Sequence, residues 1–539
     1  MTFDAWRWPR FRTGLVATAV VGLVCAPAWA GAQDLVGAVE AFWAAAPGDD
    51  SDDAVEAILA LEPDIEALWP LVRSGAVYDA DAPRGRHVLS RENGEGVEFR
   101  YEVFVPEIYD ATRRYPVHVY LHGGVARPHR EEARFWRNTG RHVRDDAIVV
   151  FPEAWDTTMW WQASQVENLG GIVNDLKRRY NVNENAVHLM GVSDGATGAF
   201  YHAFKAPTPW ATFVSFNGHP VVLANPSTLA DGQMYVTNLR NKPIFAINGA
   251  KDRLYPVSSV VPFFQLFVDA GVFLQFTPKP EGEHNMDWWD EESPKVDAFV
   301  VAQNRRPLPD QLVWETESAE QFNRAHWLVI TDLGRVASET EFDDFNEIVT
   351  AAPSAPIGFN MIGELDTGAG VQLVDIVAGS MAEAAGVEAG DVLVEMNGVS
   401  VGGVDDLRAA VQTPQDDPGF PVTVQRGGDR LSFRLMPVET GEAPPPRQAF
   451  PQPDASGRVQ LLRNDNEVGV LTRGVRRYTL LLSPEQFDFS RPVRVTTNGV
   501  ESFDGMVEPD PETLLRWADL DRDRTMLFGA ALDIRVQAP

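Results

Sequence analysis

The sequence predicts an α/β protein: a largely parallel sheet covered by helices, followed by β-rich segments. Three observations carry this. Between about Arg84 and Val301, short apolar runs alternate with helix-compatible stretches, as in strands buried on both faces and joined by crossover helices. One run, Ala186 to Met190, leads into Gly191-Val192-Ser193-Asp194-Gly195 and then a small-residue stretch from Ala196 to Ala203, which reads as strand, sharp turn and helix. From Gln311 onward most apolar runs are bounded by turn residues and linkers instead of helices.

The chain opens on a segment with the features of a secretory signal, assigned to residues 1–33. Arg7, Arg10 and Arg12 form a basic start, Leu15 to Val24 is an apolar core too short to span a bilayer, and Ala28-Trp29-Ala30 is a cleavage site. The single cysteine, Cys25, follows Val24 where a lipid-attachment motif wants a small residue, so cleavage after Ala30 is expected. The expected destination is the periplasm or the exterior. The mature chain then has no cysteine and rests on its cores. No later stretch is long and apolar enough to span a membrane. With 77 acidic against 46 basic residues the formal charge is −31, which argues against nucleic acid or an anionic membrane as partner.

Residues 34–83 read as a helical leader packing on the next domain. Val36, Val39 and Trp43 fall at helix spacing, as do Val55, Ile58, Leu59 and Ile65, with Asp49 to Asp53 between the two runs. Residues 84–304 read as the sheet-and-helix domain. Phe99 to Val105 alternates like an antiparallel strand. Tyr115 to Leu121, Ala147 to Phe151, the run before Gly191, Thr212 to Phe216, Pro243 to Ile247 and Phe273 to Phe276 read as the remaining strands. Ser258 to Ala270 reads as a helix with Ser258 as its cap and Gly271 just past its end.

The chemistry converges on Ser193. In a strained strand-to-helix turn, side chains at Gly191 and Gly195 would collide with neighbouring backbone, and Ser193 would stand at a helix N-terminus, where negative charge is stabilised. His122-Gly123-Gly124 follows the Tyr115–Leu121 strand, and the N–H groups near Gly124, with that of Asp194, can form an oxyanion hole. Asp252 follows the next-to-last strand and His284 the last. The order serine, acid, histidine, each at the carboxyl edge of the sheet, suits a nucleophile, an orienting acid and a general base. Aromatic and polar side chains nearby, among them Trp160, Trp161, Trp288 and His219 together with the His122-Gly123 turn, are candidates to line the substrate pocket. The acidic residues Glu281, Glu283, Asp287, Asp290, Glu291 and Glu292 disfavour strongly anionic substrates.

On Leu121-His122-Gly123-Gly124, Gly191-Val192-Ser193-Asp194-Gly195, Asn248-Gly249 with Asp252, and Gly282-Glu283-His284, the region from about Arg84 to Val301 resembles the α/β-hydrolase family. It is similar to extracellular esterases of the polyhydroxybutyrate depolymerase, feruloyl esterase and dienelactone hydrolase kind. The resemblance implies Ser193 as nucleophile, Asp252 as the acid orienting His284, and ester hydrolysis through an acyl-enzyme, with no metal or organic cofactor. The implied substrate is a small-molecule or oligomeric ester.

Residues 305–351 hold two strands, Gln311 to Thr316 and His326 to Ile330, too few to fold alone. Residues 352–440 resemble a PDZ domain of the kind found in bacterial periplasmic proteases, on Gly379-Ser380-Met381-Ala382 through Gly390-Asp391-Val392-Leu393 to Asn397-Gly398. By that resemblance Ile357, Gly358 and Phe359 form a loop that holds a peptide or protein C-terminus. A second glycine is lacking there. Residues 441–457, rich in proline and polar residues, read as a linker. Residues 458–539 return to strands. The pair near Trp314 and Trp327 is expected to join them in one β-sandwich-like C-terminal domain, with the PDZ module inserted between the two parts.

Three functions stay open on these residues: an exported serine carboxylesterase with a PDZ module, a serine peptidase of prolyl-oligopeptidase type, and a non-catalytic PDZ scaffold. The peptidase type usually carries a large propeller, which the roughly fifty residues of the leader cannot hold.

Overall fold

The computed structural model describes residues 28–130, 135–136, 139–336, 341–349, 357–361, 370–412, 419–439 and 445–538. The predicted signal core, with Cys25, lies outside them, as do residues 350–356 at the predicted start of the PDZ module. The chain divides into two compact units, residues 1–347 with 448–539, and residues 348–447.

The first unit is built on an eight-stranded sheet. Its strands are β1 (Gly85–Glu92), β2 (Glu98–Val105), β3 (Tyr115–Leu121), β4 (Ile148–Pro152), β5 (Val182–Val192), β6 (Thr212–Phe216), β7 (Ile244–Gly249) and β8 (Leu274–Lys279), in the spatial order 1-2-4-3-5-6-7-8. β1 and β2 pair antiparallel, as do β2 and β4. All pairings from β4 through β3 and β5 to β8 are parallel. This is the α/β-hydrolase fold. β4, β6 and β7 are buried along their whole length, which is why their sequences are unbroken apolar runs without alternation. The strand ends converge on one carboxyl edge, where β3, β5, β7 and β8 each release a loop toward the site.

Ahead of the sheet lie α1 (Ala28–Ala44), α2 (Asp49–Leu59) and α3 (Ile65–Ser74), the last capped by the Asp64 side chain on the Glu66 N–H. The crossover helices are α4 (Ala163–Arg179), α5 (Asp194–Lys205), the one-turn α6 (Val221–Ala224) and α7 (Val257–Asp269), and α8 (Trp289–Ala302) follows the last strand. The cap expected from Ser258 is not formed: α7 starts one residue earlier, with Pro256 at its N-cap. Proline there fixes φ without losing a needed donor.

The leader's partner also differs from the expectation. Phe42, Trp43, Val55, Ile58, Leu68 and Val72 bury against Leu514, Leu515 and Ala518 of the helix Pro511–Asp521 and against Leu527, rather than against the domain next in sequence. The turn after that helix fastens three parts of the unit together. Arg522 donates to the carbonyls of Phe42 and Trp43. Asp523 pairs with Arg305 at 2.5 Å, and Arg524 reaches Glu184 and the Val182 carbonyl.

Two further sheets share one core. Gln311–Thr316 pairs antiparallel with Gly457–Asn464, Val313 facing Gln460, and Leu328–Leu333 pairs with Val475–Leu482, Leu328 facing Leu480. The sheets carry five and four strands, and Trp314, Trp327, Val459, Val470, Tyr478 and Leu480 fill the space between them. The strands before and after the 348–447 unit thus belong to one sandwich. Asn346 and Phe450 fasten the two chain segments at its base: the Asn346 amide donates to the Phe450 carbonyl at 2.8 Å and accepts its N–H at 2.9 Å. Within the predicted 441–457 linker, Ala449 to Asp454 are held against the first unit. Phe450 is fully buried against Phe204 and Phe263, and Gln452 and Asp454 bond to Met234 and Gln233.

The 348–447 unit has its strands in the order Phe359–Met361, Val371–Ile376, Val392–Met396, Phe420–Arg426 and Asp429–Leu435, with helices Met381–Ala385 and Val404–Gln412. Ser380 caps the first helix through the Glu383 N–H, and Gly386 ends it at φ +84°. Asn397 and Gly398, both at positive φ, form the two-residue hairpin turn.

Candidate active site

Ser193 sits between β5 and α5 at φ +56°, ψ −119°, a conformation that L-residues adopt only under constraint. The neighbours supply that constraint. A Cβ on Gly191 would stand 2.0 Å from the Gly195 carbonyl oxygen, one on Gly195 1.9 Å from the Leu121 oxygen, and one on Gly123 2.9 Å from Cβ of Ser193. Glycine is thus required where β5, β3 and α5 crowd together. The Ser193 N–H donates to the Phe216 carbonyl at 2.9 Å, tying the turn to β6.

The loops after β7 and β8 bring Asp252 and His284 to the serine. His284 Nε2 lies 2.9 Å from Ser193 Oγ, and its Nδ1 lies 2.7 Å from Oδ2 of Asp252. Asp252 is buried, and its Oδ1 accepts the N–H groups of Leu254 and Tyr255 at 2.8 and 3.0 Å. One carboxylate oxygen is therefore fixed by backbone and the other faces the imidazole. This arrangement can draw a proton from the serine hydroxyl and stabilise the imidazolium that forms.

The Asp194 N–H opens α5, where intrahelical partners are lacking. Its carboxylate accepts the Val125 N–H at 2.9 Å, holding the 122–125 turn against the elbow. Gly124 takes φ +70° in that turn. His122 is buried, and its Nε2 accepts the Ala154 N–H at 3.1 Å, so it braces the turn instead of facing a substrate.

The tryptophans depart from the expected pocket role. Trp160 has no exposed surface: it donates to the His122 carbonyl at 2.8 Å and packs on Gly198, supporting the turn from beneath. Trp161 is buried and donates to the Thr228 carbonyl, and Trp288 belongs to the core around Phe216. His219 is buried beside Tyr255, whose ring in turn lies 5.6 Å from that of His284. Burial pushes the Tyr255 hydroxyl up to about 12, so it stays protonated beside the histidine. Tyr255 and Asn217, whose side chain bonds to the Asn285 carbonyl, were not evident in the sequence. Their only signal is position, one three residues after Asp252 and the other just after β6.

In the second unit, the Ile357 carbonyl accepts the Ala382 N–H and the Gly358 carbonyl accepts that of Val377, with Gly358 at φ +84°. Phe359 faces Ile376 and starts the outermost strand, which pairs on one side only among the described residues. The family model for the PDZ domain matches residues 373–425. This unit is a PDZ domain.

No curated protein matches the chain. Solved structures similar to it include a thermostable esterase, at 20% identity and a TM-score of 0.34, over 41% of this chain and 63% of that one. A ferulic acid esterase aligns at 18% identity and 0.33, over 40% of this chain and 99% of that one. The acylaminoacyl peptidase of Pyrococcus horikoshii aligns at 14% identity and 0.32, over 40% and 41%. The chain thus spans less than two thirds of the esterase named first and of the peptidase. Among the described residues no helix is long and apolar enough to cross a membrane, and no group of three or more His, Cys, Asp or Glu side chains is placed to hold a metal ion.

Proposed function

We propose that this chain is an exported serine hydrolase that cleaves carboxylic esters through an acyl-enzyme, with its PDZ domain binding a peptide or protein C-terminus. One observation carries the catalytic part: His284 bridges Ser193 Oγ and a buried Asp252 carboxylate at hydrogen-bond distance on both sides. In this reading Ser193 Oγ attacks the ester carbonyl while His284 Nε2 takes its proton. The negative charge on the carbonyl oxygen is met by the Asp194 N–H and the backbone of the Gly123-Gly124 turn. His284 then passes the proton to the departing alkoxide. A water molecule, deprotonated by the same nitrogen, releases the acid.

Labelling with a fluorophosphonate tests the nucleophile. The wild type reacts, and Ser193→Ala and His284→Ala do not. Aryl esters and peptide amides together decide the class: cleavage of the ester alone gives an esterase, and cleavage of the amide as well gives a peptidase. A folded wild type that neither labels nor hydrolyses removes the enzyme reading and leaves a PDZ scaffold. For the PDZ part, a peptide with a free carboxylate binds, and its C-terminal amide does not. Fractionation with N-terminal sequencing tests export: the chain begins at Gly31 outside the cytoplasm.

A further inference from the structure

We propose that Asn217 is a positioning residue that sets the register of His284 against Ser193. The inference rests on the reading of Ser193 and His284 as nucleophile and base. Asn217 is the residue just after β6 and is fully buried. Its side-chain Nδ2 donates to the carbonyl of Asn285, the residue after His284, at 2.6 Å. On the other side of His284, the Gly282 carbonyl accepts the Lys251 N–H at 2.9 Å. Two hydrogen bonds thus flank the histidine. The first comes from backbone and tolerates any residue at 251 other than proline. The second depends on one side chain.

The backbone of Asn217 is arranged for this task. It stands at φ +50°, where asparagine is tolerated better than almost any other residue with a side chain. Its N–H is held by the Ile247 carbonyl at 2.8 Å. The next residue, Gly218, is locked in place because a Cβ there would stand 2.5 Å from Cβ of Ala196 on α5. Asn248, at the end of β7 and also fully buried, donates to the Gly218 carbonyl at 2.9 Å. The amide that grips the histidine loop is therefore built on the framework that carries the elbow, since Phe216, one residue earlier, accepts the Ser193 N–H. Serine and histidine are referenced to the same end of β6. A shift of the loop moves Nε2 relative to Oγ, and misplacement of a reacting group by about 1 Å costs on the order of a hundredfold in rate.

The test uses Asn217→Gly, which keeps the left-handed backbone and removes only the amide, and Asn217→Asp, which keeps shape but sets an oxygen against the Asn285 carbonyl. With an aryl ester, kcat is expected to fall about 10- to 100-fold in both while KM stays within about twofold. The rate of fluorophosphonate labelling falls in parallel. The low-field proton resonance of the His284–Asp252 hydrogen bond, which needs no turnover, broadens or shifts in both variants. If Asn217→Gly does not fold, Asn217→Asp decides on the same readouts. Wild-type kcat, labelling rate and resonance in a folded variant overturn the inference. Absence of labelling in the wild type overturns instead the reading of Ser193 as nucleophile, so the two failures are distinct.

Discussion

The carboxylate of Asp194 accepts the backbone N–H of Val125 at 2.9 Å, joining the residue after the elbow serine to the turn that follows β3. The bond fixes the distance between the two backbone stretches that face a developing oxyanion. Asp194→Ala removes it while leaving the Asp194 N–H in place. The expected result is a fall of about tenfold or more in kcat with KM nearly unchanged, because a donor that is no longer preorganised is lost mainly from the transition state. Steady-state kinetics with one aryl ester read this directly. Equal losses in ground-state binding and turnover would point to a collapsed turn.

The crowding at the elbow makes a second prediction. A methyl group at Gly195 has no space, because backbone lies 1.9 Å from where its Cβ would be. Backbone cannot rotate away as a flexible side chain does. Gly195→Ala is therefore expected to lower stability by about 3 kcal/mol or more, or to prevent folding. Urea denaturation monitored by the buried tryptophans measures it. Gly469→Ala, at a position where the nearest atom is 3.9 Å away, serves as the tolerated control.

The elbow, the parallel strands and the order Ser193, Asp252, His284 were legible because they are local: a buried strand is an apolar run, and a forced turn leaves its glycines in the sequence. The PDZ turn at Asn397-Gly398 was legible for the same reason. What was not legible is pairing across long separations. Trp43 and Leu515 share a core although more than four hundred residues lie between them, and no periodicity encodes that choice of partner. Trp160 illustrates a second limit. An aromatic residue near a site reads as pocket lining, and only its lack of exposed surface reveals it as a support for the His122 turn. Asn217 carries no pattern at all, since its role lies in one hydrogen bond to a distant loop.

Buried histidines make stability pH-dependent. Burial lowers His118 and His202 to about 3 and His142 to about 4, and it holds His188 well below the ordinary value. In the unfolded chain each titrates near about 6.5. Below that pH the unfolded chain binds protons that the folded chain does not, so stability falls as pH drops from about 6.5 toward the depressed values. The slope is about 1.4 kcal/mol per pH unit for each histidine kept neutral, and these groups contribute no slope above about 7. Denaturant midpoints between pH 7 and 4.5 are expected to fall steadily. His202→Phe, which replaces a ring whose Nε2 is buried without a partner, flattens the curve by about one proton. An unchanged slope in that variant would show that His202 charges in the folded state.

The Arg305–Asp523 pair is buried on both sides and also bonds Asn185, Thr208 and Thr525. Asp523→Ala leaves the guanidinium buried and uncompensated, at an expected cost of about 3–5 kcal/mol. Equilibrium unfolding reads the cost. A variant with both residues replaced by apolar ones of similar volume is expected to recover much of it.

Removal of the PDZ domain tests whether the rest of the chain stands without it. The chain leaves the first unit at Glu347 and returns at Gln448, and Asn346 and Phe450 hold the two segments together by side-chain and backbone bonds. Phe450 adds a fully buried ring against Phe204 and Phe263. The sandwich pairings on either side, Val313 with Gln460 and Leu328 with Leu480, lie wholly within the first unit. A short Gly/Ser bridge replacing residues 355–438 is therefore expected to leave the thermal midpoint of the first unit within a few degrees of its wild-type value. Fluorophosphonate labelling of the shortened protein then separates two roles for the PDZ domain. Labelling at the wild-type rate makes it a recruiting module that acts before chemistry. A rate that changes several-fold at unchanged stability makes it a regulator of the Ser193 site, and a free-carboxylate peptide added to the full-length chain should then move the rate in the same direction.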